Sequence, residues 1–285
     1  MTTRRNFIIG TAAMALPGAA WAAPKLSDEF KRIERDSGGR LGVGIFDALS
    51  KVGAGYHADD RFPMCSTFKV LAAAAVLKRV DDGKERLDRR IMIEARDIVP
   101  GSSRISAPAI EGMTLGQLCE AAMIHSDNTA ANLMLVSLGG PPAITAYARS
   151  IGDKVTRLDR NEPSLNEAIP NDPRDTTTPA AMAKNLLTLL LGNALSAKSR
   201  EQLTQWLIAN KTGDARLRAG LPAGWKVGDK TGTGERGSTN DIAIVWPPKR
   251  MPILIAAYLT ETTAAPEKRN ATIAAVGRAV VAALG

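Results

Sequence analysis

Hydrophobic positions change their spacing several times along the chain, and each change predicts a different kind of element. In segment 26–37, apolar Phe30 and Ile33 recur among charged residues, which predicts an amphipathic helix. Segment 41–46 alternates as a strand does and runs into a turn. Segment 66–80 is apolar around most of its circumference, which predicts a helix buried on nearly every side.

The middle of the chain carries further segments with helical spacing, and several begin at a Ser or Thr that can cap a helix N-terminus. These helices are predicted over 114–124, 129–138, 141–151, 178–191 and 199–208. Segment 157–178 differs, because it is polar, contains three prolines and has no hydrophobic period. A loop of this length in a compact domain is typically functional or disordered.

Towards the C-terminus the spacing returns to that of strands. Strands are predicted over 225–230, 239–246 and 253–259, and a closing helix over 267–284. Strand and helix patterns at both ends, with helices between them, predict an α/β fold of two lobes. One lobe combines 23–60 with 212–285 around a sheet, and 61–211 forms an all-helical lobe that includes the long loop 157–178.

Composition places the chain among globular proteins and argues against a nucleic-acid partner. Of its 285 residues 45% are hydrophobic and 23% charged, which excludes the disordered class. The net charge is +8, but the basic residues are scattered among acids and only 4% of residues are aromatic. We interpret this charge as one that favours solubility and mildly attracts small anionic substrates.

Residues 1–22 have the pattern of an export signal. Paired Arg4 and Arg5 precede a short apolar stretch, and small residues ending at Ala22 form a signal-peptidase site. The paired arginines favour the twin-arginine route over an ordinary secretory leader. The apolar stretch is too short to span a bilayer, and no cysteine precedes Cys65 to carry a lipid. We therefore expect a periplasmic protein without a membrane anchor.

The two cysteines, Cys65 and Cys119, could form one disulfide, and their positions in the sequence do not decide it. A twin-arginine substrate folds before export in a reducing compartment, which favours two free thiols. Cys65 directly precedes Ser66 and has to be considered as a nucleophile. Since the chain has only two histidines and neither is near Cys65, we interpret Cys65 as a small packing residue.

Candidate chemistry begins with Ser66 and Lys69 at the start of the apolar helix. Three residues apart, they share one helix face. Backbone N–H groups there can bind an oxyanion, and a buried lysine with a lowered pKa can accept the serine proton. The alternative is a capping serine with a surface lysine, and for Ser-x-x-Lys alone that alternative is favoured.

Ser126 and Asn128 belong to a second motif, Ser-Asp-Asn. The hydroxyl can pass a proton to a leaving nitrogen, and the amide can hold a substrate carbonyl. A loop that caps a helix uses the same residue types, so the motif alone fits both interpretations.

Lys-Thr-Gly occurs twice, at 211–213 and 230–232. The first follows a helical segment and is interpreted as its end. The second lies in a predicted strand, where a lysine and hydroxyls can bind a carboxylate and the N–H of Thr233 can complete an oxyanion site opposite Ser66. We therefore assign substrate binding to Lys230, Thr231, Gly232 and Thr233.

Glu162 and Asn166 lie four residues apart in the long loop. Together they could hold one water, with Glu162 as the general base that activates it. The alternative is a solvated acid in a polar loop. Arg160 and Asp175 flank the loop and could pair across its neck, although an exposed pair would contribute little.

The order of these motifs resembles that of the class A serine β-lactamases, with their Ser-x-x-Lys, Ser-Asp-Asn and Lys-Thr-Gly sequences. The resemblance covers residue 26 to the C-terminus and identifies 157–178 as the family's omega loop. It implies a serine β-lactamase/transpeptidase-like fold with a five-stranded antiparallel sheet. No metal or organic cofactor is implied, and a monomer is the default expectation. Penicillins and cephalosporins would acylate Ser66 through their β-lactam amide.

Within this resemblance, Ser126 relays a proton, Glu162 directs the deacylating water, and Arg216 helps to bind the substrate carboxylate. Whether Lys69 or Glu162 is the base during acylation stays open.

Three positions depart from the family pattern. Ala73 replaces a cysteine that often pairs with the position of Cys119. Gly234 replaces a cysteine found in many carbapenem-hydrolysing members, so we expect no such activity. Gly101 stands where an aromatic side chain usually lines the cleft.

Two other functions share part of the motif set. A penicillin-binding DD-peptidase has the serine, lysine and Lys-Thr-Gly motifs, but forms long-lived acyl-enzymes and lacks Glu162 with Asn166. A β-lactam sensor would also lack the deacylating glutamate and should carry a membrane anchor. A Gly-x-Ser-x-Gly esterase motif is absent from the sequence, and two histidines do not suffice for a metallo-hydrolase.

Overall fold

The computed structural model describes residues 23–284, so the predicted signal peptide, 1–22, lies outside the described residues. The helices are α1 Ala23–Ser37, α2 Lys69–Asp81, α3 Leu115–Ile124, α4 Asn128–Leu138, α5 Pro141–Ser150, α6 Pro179–Leu190, α7 Ala197–Ile208 and α8 Pro266–Ala283. The strands are β1 Arg40–Asp47, β2 Val52–Tyr56, β3 Phe62–Pro63, β4 Arg90–Ile93, β5 Ala109–Thr114, β6 Thr176–Thr177, β7 Lys226–Thr233, β8 Thr239–Trp246 and β9 Ile253–Thr260.

Five of the strands form one antiparallel sheet in the order β2-β1-β9-β8-β7. The first strand therefore pairs with the last, with Ile45 opposite Ile255. This arrangement brings the two ends of the described chain into one sheet and leaves β7 at its edge. The α/β fold class and the five-stranded antiparallel sheet are confirmed.

Both faces of the sheet are covered, and the alternation along β8 shows how. Ile242 and Ile244 point into the core shared with the helices of the middle segment. Ala243 and Val245 point into a second core, formed with α1 and α8. Because side chains alternate between faces along a strand and both faces are covered here, residues 242–246 of β8 form a continuous apolar run.

Helix α2 lies inside the helical part of the molecule, in contact with α3, α4, α5 and α7. Its residues from Lys69 to Leu77 are all buried, as the apolar circumference predicts. The predicted helix 66–80 starts differently, however, because Cys65–Phe68 forms a 3₁₀ turn before α2 begins. None of the helices in the described part of the chain combines the length and apolarity that a bilayer crossing requires.

Helix boundaries follow the expected caps with one correction. Thr114 forms a capping box with Gln117 at the start of α3, and Thr178 caps α6. Helix α7 is capped by Ser196, whose hydroxyl accepts from the Ser199 N–H, so it starts before the predicted 199.

Two short two-stranded sheets, β3–β6 and β4–β5, lie within 61–211 and are not predicted from the sequence. The strands β3 and β6 are too short for a period of two to be visible in the sequence. The lobe boundaries at 60/61 and 211/212 stay predictions.

Candidate active site

Ser66 lies in the 3₁₀ turn where the chain leaves the sheet and enters α2. In a 3₁₀ turn, side chains three residues apart point in the same direction. Lys69 therefore stands next to Ser66, and its Nζ donates to Ser66 Oγ at 2.9 Å. The shared face expected for these two residues is present.

The Lys69 ammonium group is completely buried and surrounded by oxygen atoms. Its Nζ lies 2.7 Å from the Ser126 carbonyl oxygen, 2.8 Å from Asn128 Oδ1 and 3.0 Å from Glu162 Oε1. Burial lowers the pKa of Lys69, and the neighbouring Glu162 carboxylate opposes this shift. A lysine with a lowered pKa beside a serine hydroxyl can take and return a proton.

Glu162 approaches the serine from the omega loop and is also buried. Ser66 Oγ donates to Glu162 Oε1 at 3.2 Å, and Asn166 Nδ2 donates to Glu162 Oε2 at 2.5 Å. Two candidate bases, Lys69 and Glu162, thus contact the same hydroxyl. The geometry is compatible with either as the base for acylation, and that choice stays open.

Asn132 fixes the backbone of Glu162 and was missed by the sequence analysis. Its Nδ2 donates to the Glu162 carbonyl oxygen and its Oδ1 accepts from the Glu162 N–H, both at 2.9 Å. The sequence does contain a signal for Asn132, because it lies four residues after Asn128 and therefore one turn further along the same face of α4.

The neck of the omega loop is closed by Asp175, which is buried. Its carboxylate accepts from the Asp159 N–H at 2.7 Å, the Arg160 N–H at 3.0 Å and Arg160 Nε at 2.6 Å. The suggested ion pair between Arg160 and Asp175 is therefore present, and its carboxylate is buried. A buried carboxylate with three donors fixes both ends of the loop more firmly than an exposed ion pair would.

The hydroxyl of Ser126 lies between two lysines. Lys230 Nζ donates to Ser126 Oγ at 2.9 Å, and Lys69 Nζ lies 3.4 Å away on the other side. Lys230 is fully buried, and burial together with the nearby charge of Lys69 lowers the pKa of Lys230 well below its usual value. The result is a continuous chain of proton carriers from Ser66 through Lys69 and Ser126 to Lys230.

Strand β7 passes very close to the turn that carries Ser66, and Gly232 makes this possible. A Cβ atom at Gly232 would lie 2.8 Å from the Met64 carbonyl oxygen and 3.2 Å from the Ser66 nitrogen. Only a glycine leaves the strand edge at this distance, so the N–H groups of Ser66 and Thr233 can face the same space.

Arg216 supports the same strand from behind. Its guanidinium donates to the carbonyl oxygens of Gly232 at 2.8 Å and Asn240 at 2.7 Å, and to Thr233 Oγ1 at 2.6 Å. Because Thr233 Oγ1 accepts from Arg216, its own proton is free to point into the cleft.

These groups converge on a cleft of about 470 Å³. Its walls include Ser66, Ser126, Asn128, Asn166, Arg216 and β7 from Thr231 to Thr233. Lys69, Glu162 and Lys230 lie buried directly behind these hydroxyl and amide groups. The structure thus brings together every residue that the sequence analysis assigned to the site. It adds lining residues that were not assigned, namely Ser102, Ser103, His125 and Thr212.

Gly101 also lines the cleft, next to Asn128. Its φ of +82° lies in the left-handed region, and a Cβ atom there would come within 2.4 Å of Asn128 Nδ2. A side chain at this position would strain the backbone and displace the Asn128 amide. The local conformation of this chain therefore fits a glycine where the family usually has an aromatic residue.

Thr212 corrects the interpretation of the first Lys-Thr-Gly. Helix α7 does end before it, at Ile208, as expected. However, Thr212 Oγ1 lies 2.5 Å from Thr231 Oγ1, so the first copy contributes a hydroxyl to the wall formed by the second.

Both cysteines are free and buried, as the sequence analysis favoured. Burial raises the pKa of Cys65 to about 12, which keeps the thiol protonated and removes it as a nucleophile. Among residues 23–284, no group of three or more His, Cys, Asp and Glu side chains is placed to hold a metal ion.

Comparison with known proteins shows which family the chain resembles over nearly its whole length. A family model described as the β-lactamase enzyme family matches residues 25–284. The β-lactamase OXY-1 of Klebsiella oxytoca is 46% identical over 285 residues, covering 99% of this chain and 98% of the relative. The β-lactamase CTX-M-6 of Salmonella typhimurium is 48% identical over 259 residues, covering 90% and 89%.

A solved structure is similar over nearly the same span. It is the class A β-lactamase of the last common ancestor of Gram-negative bacteria, with 62% identity and a TM-score of 0.89. The match covers 91% of this chain and 99% of that one.

Proposed function

The chain belongs to the class A serine β-lactamases, hydrolases that act on β-lactams, and from that premise we propose how its residues divide the reaction. Ser66 Oγ attacks the carbonyl carbon of the β-lactam amide, the ring nitrogen leaves, and water then releases the acyl group from Ser66. The observation that carries this proposal is the position of the Glu162 carboxylate, 3.2 Å from Ser66 Oγ in a loop closed over the cleft.

In the acylation step, Ser66 loses its proton to Lys69 or to Glu162, both of which are within hydrogen-bond distance. The C–N bond of the ring breaks and the nitrogen needs a proton. Ser126 supplies it, since its hydroxyl connects Lys69 with Lys230. Lys69 or Lys230 then restores the proton on Ser126.

The substrate is held by two kinds of contact. The N–H groups of Ser66 and Thr233 bind the carbonyl oxygen as it becomes negatively charged. Lys230 and the hydroxyls of Thr231 and Thr233 bind the substrate carboxylate, with Arg216 orienting the Thr233 hydroxyl. On the opposite wall, the Asn128 side chain holds the amide that substrates carry next to the ring.

Deacylation requires a water between Glu162 and the acyl carbonyl. Glu162 removes a proton from this water while the oxygen attacks the ester carbon, and the proton passes back to Ser66 as the C–O bond breaks. Asn166 donates to Glu162 Oε2, which leaves Oε1 directed at the serine. This placement of Glu162 allows water to release the acyl group, so the protein acts as a hydrolase and does not stay acylated by the β-lactam.

Replacing Glu162 by alanine tests the assignment. With a chromogenic cephalosporin, the unmodified protein should turn over many times, whereas Glu162→Ala should give a burst of one equivalent and then a stable Ser66 adduct in mass spectra. Glu167→Ala is the matched control, because it removes a more exposed carboxylate from the same loop. It should keep multiple turnover.

Two results would contradict the assignment. Equal steady-state rates for Glu162→Ala and the unmodified protein would remove Glu162 from deacylation. A stable adduct on the unmodified protein would instead indicate a penicillin-binding DD-peptidase or a sensor.

Members of the family are generally exported, and we propose for this chain a periplasmic location reached by the twin-arginine route. Arg4 and Arg5 support that route, and cleavage would follow Ala22. We further propose that the enzyme acts as a monomer on penicillins and cephalosporins, without a metal or organic cofactor.

A further inference from the structure

A second cavity, of about 460 Å³, lies against the omega loop and shares no lining residue with the catalytic cleft. One wall is the loop itself, with Leu165 and residues 168–174. The opposite wall comes from the first residue of β1, the last residues of β3 and β9, and the chain next to these strands at Asp60, Arg61 and Glu261. Its volume falls in the range of about 300–1,000 Å³ that is usual for small-molecule sites.

Four arginines line this cavity, and three of them are neutralised by acids. Salt bridges join Arg40 to Glu261 at 3.0 Å, Arg160 to Asp175 at 2.6 Å and Arg174 to Asp172 at 2.7 Å.

Arg61 is the exception, because it forms no salt bridge within residues 23–284. Its guanidinium donates from one nitrogen to the Val155 carbonyl oxygen at 3.2 Å and to Thr176 Oγ1 at 2.9 Å, which are both uncharged acceptors. Asp60, on the same cavity, lies 3.0 Å from His57 Nδ1 and forms no salt bridge with any of the four arginines. Within residues 23–284, Arg61 is therefore the one arginine of the cavity without a carboxylate partner.

Part of the wall is apolar. Leu165, Ala168, Ile169 and Pro170 face the cavity from the loop, and Ile169 keeps 40% of its surface exposed. A guanidinium without a carboxylate partner, next to an apolar part of the wall, suits an organic carboxylate, since the guanidinium can bind both carboxylate oxygens.

We propose that this cavity binds a small carboxylate with an apolar ring or chain, its charge on Arg61 and its apolar part against Leu165 and Ile169. The site is separate from the one that holds the β-lactam. It is connected to the reaction through the loop, because Leu165 belongs to the same 3₁₀ turn, Ser164–Asn166, as the Asn166 that holds Glu162. An occupant therefore acts on deacylation. Because deacylation follows the acyl-enzyme, it changes kcat and KM by the same factor and leaves kcat/KM unchanged.

Benzoate is the probe, and benzamide, which has the same shape without the charge, is its control. Calorimetry on the full-length mature protein should show benzoate binding, with benzamide at least about tenfold weaker. Arg61→Gln should weaken benzoate at least about tenfold, whereas Arg61→Lys should weaken it less because the charge is retained. Arg216→Gln, which alters the catalytic cleft, should leave the benzoate affinity unchanged.

Two further measurements place the benzoate. Amide NMR shifts caused by benzoate should lie in 165–176 and around Arg61. Turnover of a chromogenic cephalosporin should show kcat and KM changed by the same factor, with kcat/KM unchanged. Purely competitive inhibition, or binding abolished by Arg216→Gln, would place benzoate in the catalytic cleft and overturn the proposal. No binding, or equal affinity for Arg61→Gln, would overturn it as well.

Arg61→Gln could fail to fold, since Arg61 also contacts Thr176 at the neck of the loop. Ile169→Trp then gives an independent test, because its larger side chain fills the cavity from an exposed position. An unchanged benzoate affinity in Ile169→Trp would be equally decisive against the proposed site.

Discussion

Two fully buried lysines, Lys69 and Lys230, flank the hydroxyl of Ser126. Burial makes the charged form of each lysine less favourable than it is in water, which lowers the pKa of both. Burying the two charges lowers the stability of the fold near neutral pH. The same burial provides the cleft with amines that can exchange protons with serine hydroxyls. Function and stability are in opposition at these residues.

The pH dependence of stability should reveal the buried charge of Lys230. Because the folded protein holds this proton less tightly than the unfolded chain, the unfolded state binds more protons between the lowered pKa and the usual value near 10.4. The free energy of unfolding should therefore rise with pH in that window, by up to about 1.4 kcal/mol per pH unit. Urea denaturation at several pH values should show a shallower rise for Lys230→Met.

Lys226→Met is the control, because Lys226 is exposed at the other end of β7. Its substitution should leave the pH dependence unchanged. If Lys230→Met and the unmodified protein have parallel pH profiles, Lys230 does not carry the shifted proton.

At the scale of elements, α4 presents Asn128 and Asn132 from one face, and the second of these holds the omega loop. Asn132→Ala leaves the buried N–H and carbonyl of Glu162 without their partners. We expect a loss of about 1–3 kcal/mol in the free energy of unfolding and slower deacylation, with acyl-enzyme accumulating in mass spectra during turnover. Ser137→Ala, on the same helix but hydrogen-bonded only to the Leu133 carbonyl, should show neither effect. Unchanged kcat in a folded Asn132→Ala protein would contradict this role.

Strand β7 offers a matched pair of glycines. Gly232→Ala should push the strand away from the Ser66 turn and slow acylation roughly 10²-fold, since small misplacements of reacting groups have effects of that size. Gly228→Ala is slightly less crowded, with Leu207 Cβ 3.0 Å away, and the crowding is against α7. It should lower stability without slowing acylation. Stopped-flow acylation and thermal unfolding separate the two, and equal acylation rates for both variants would contradict the argument.

The same elements show what sequence patterns can and cannot predict. The burial of Lys69 follows from the apolar circumference of segment 66–80, which is a local property. The contact of Thr212 with Thr231 is not local, because it depends on how the end of α7 packs beside β7. Asn132 lies between these cases, since its spacing from Asn128 was visible but its partner is in a distant loop.

The short strands β3 and β6 were missed for the same reason. Phe62–Pro63 and Thr176–Thr177 pair across more than a hundred residues, and each is too short to have a hydrophobic period. Only the tertiary fold brings them together, at the neck of the omega loop.

At the scale of the whole molecule, one sheet joins two cores, and no disulfide links them within residues 23–284. Cys65 and Cys119 are both completely buried, Cys119 within the larger core. Apolar packing on both faces of the sheet therefore stabilises the described fold without help from thiol oxidation.

Thiol labelling checks this conclusion. The pKa of Cys65 is raised to about 12 by burial and that of Cys119 is raised further, so neither provides a thiolate at neutral pH. An aromatic disulfide reagent should label neither thiol in the folded protein and both after unfolding, and the melting temperature should be the same with and without reductant. Ser150→Cys, at an exposed position, should label in the folded state and so verify the reagent. A melting temperature that falls on reduction, or unfolded protein without reactive thiols, would indicate a disulfide and contradict the free-thiol arrangement.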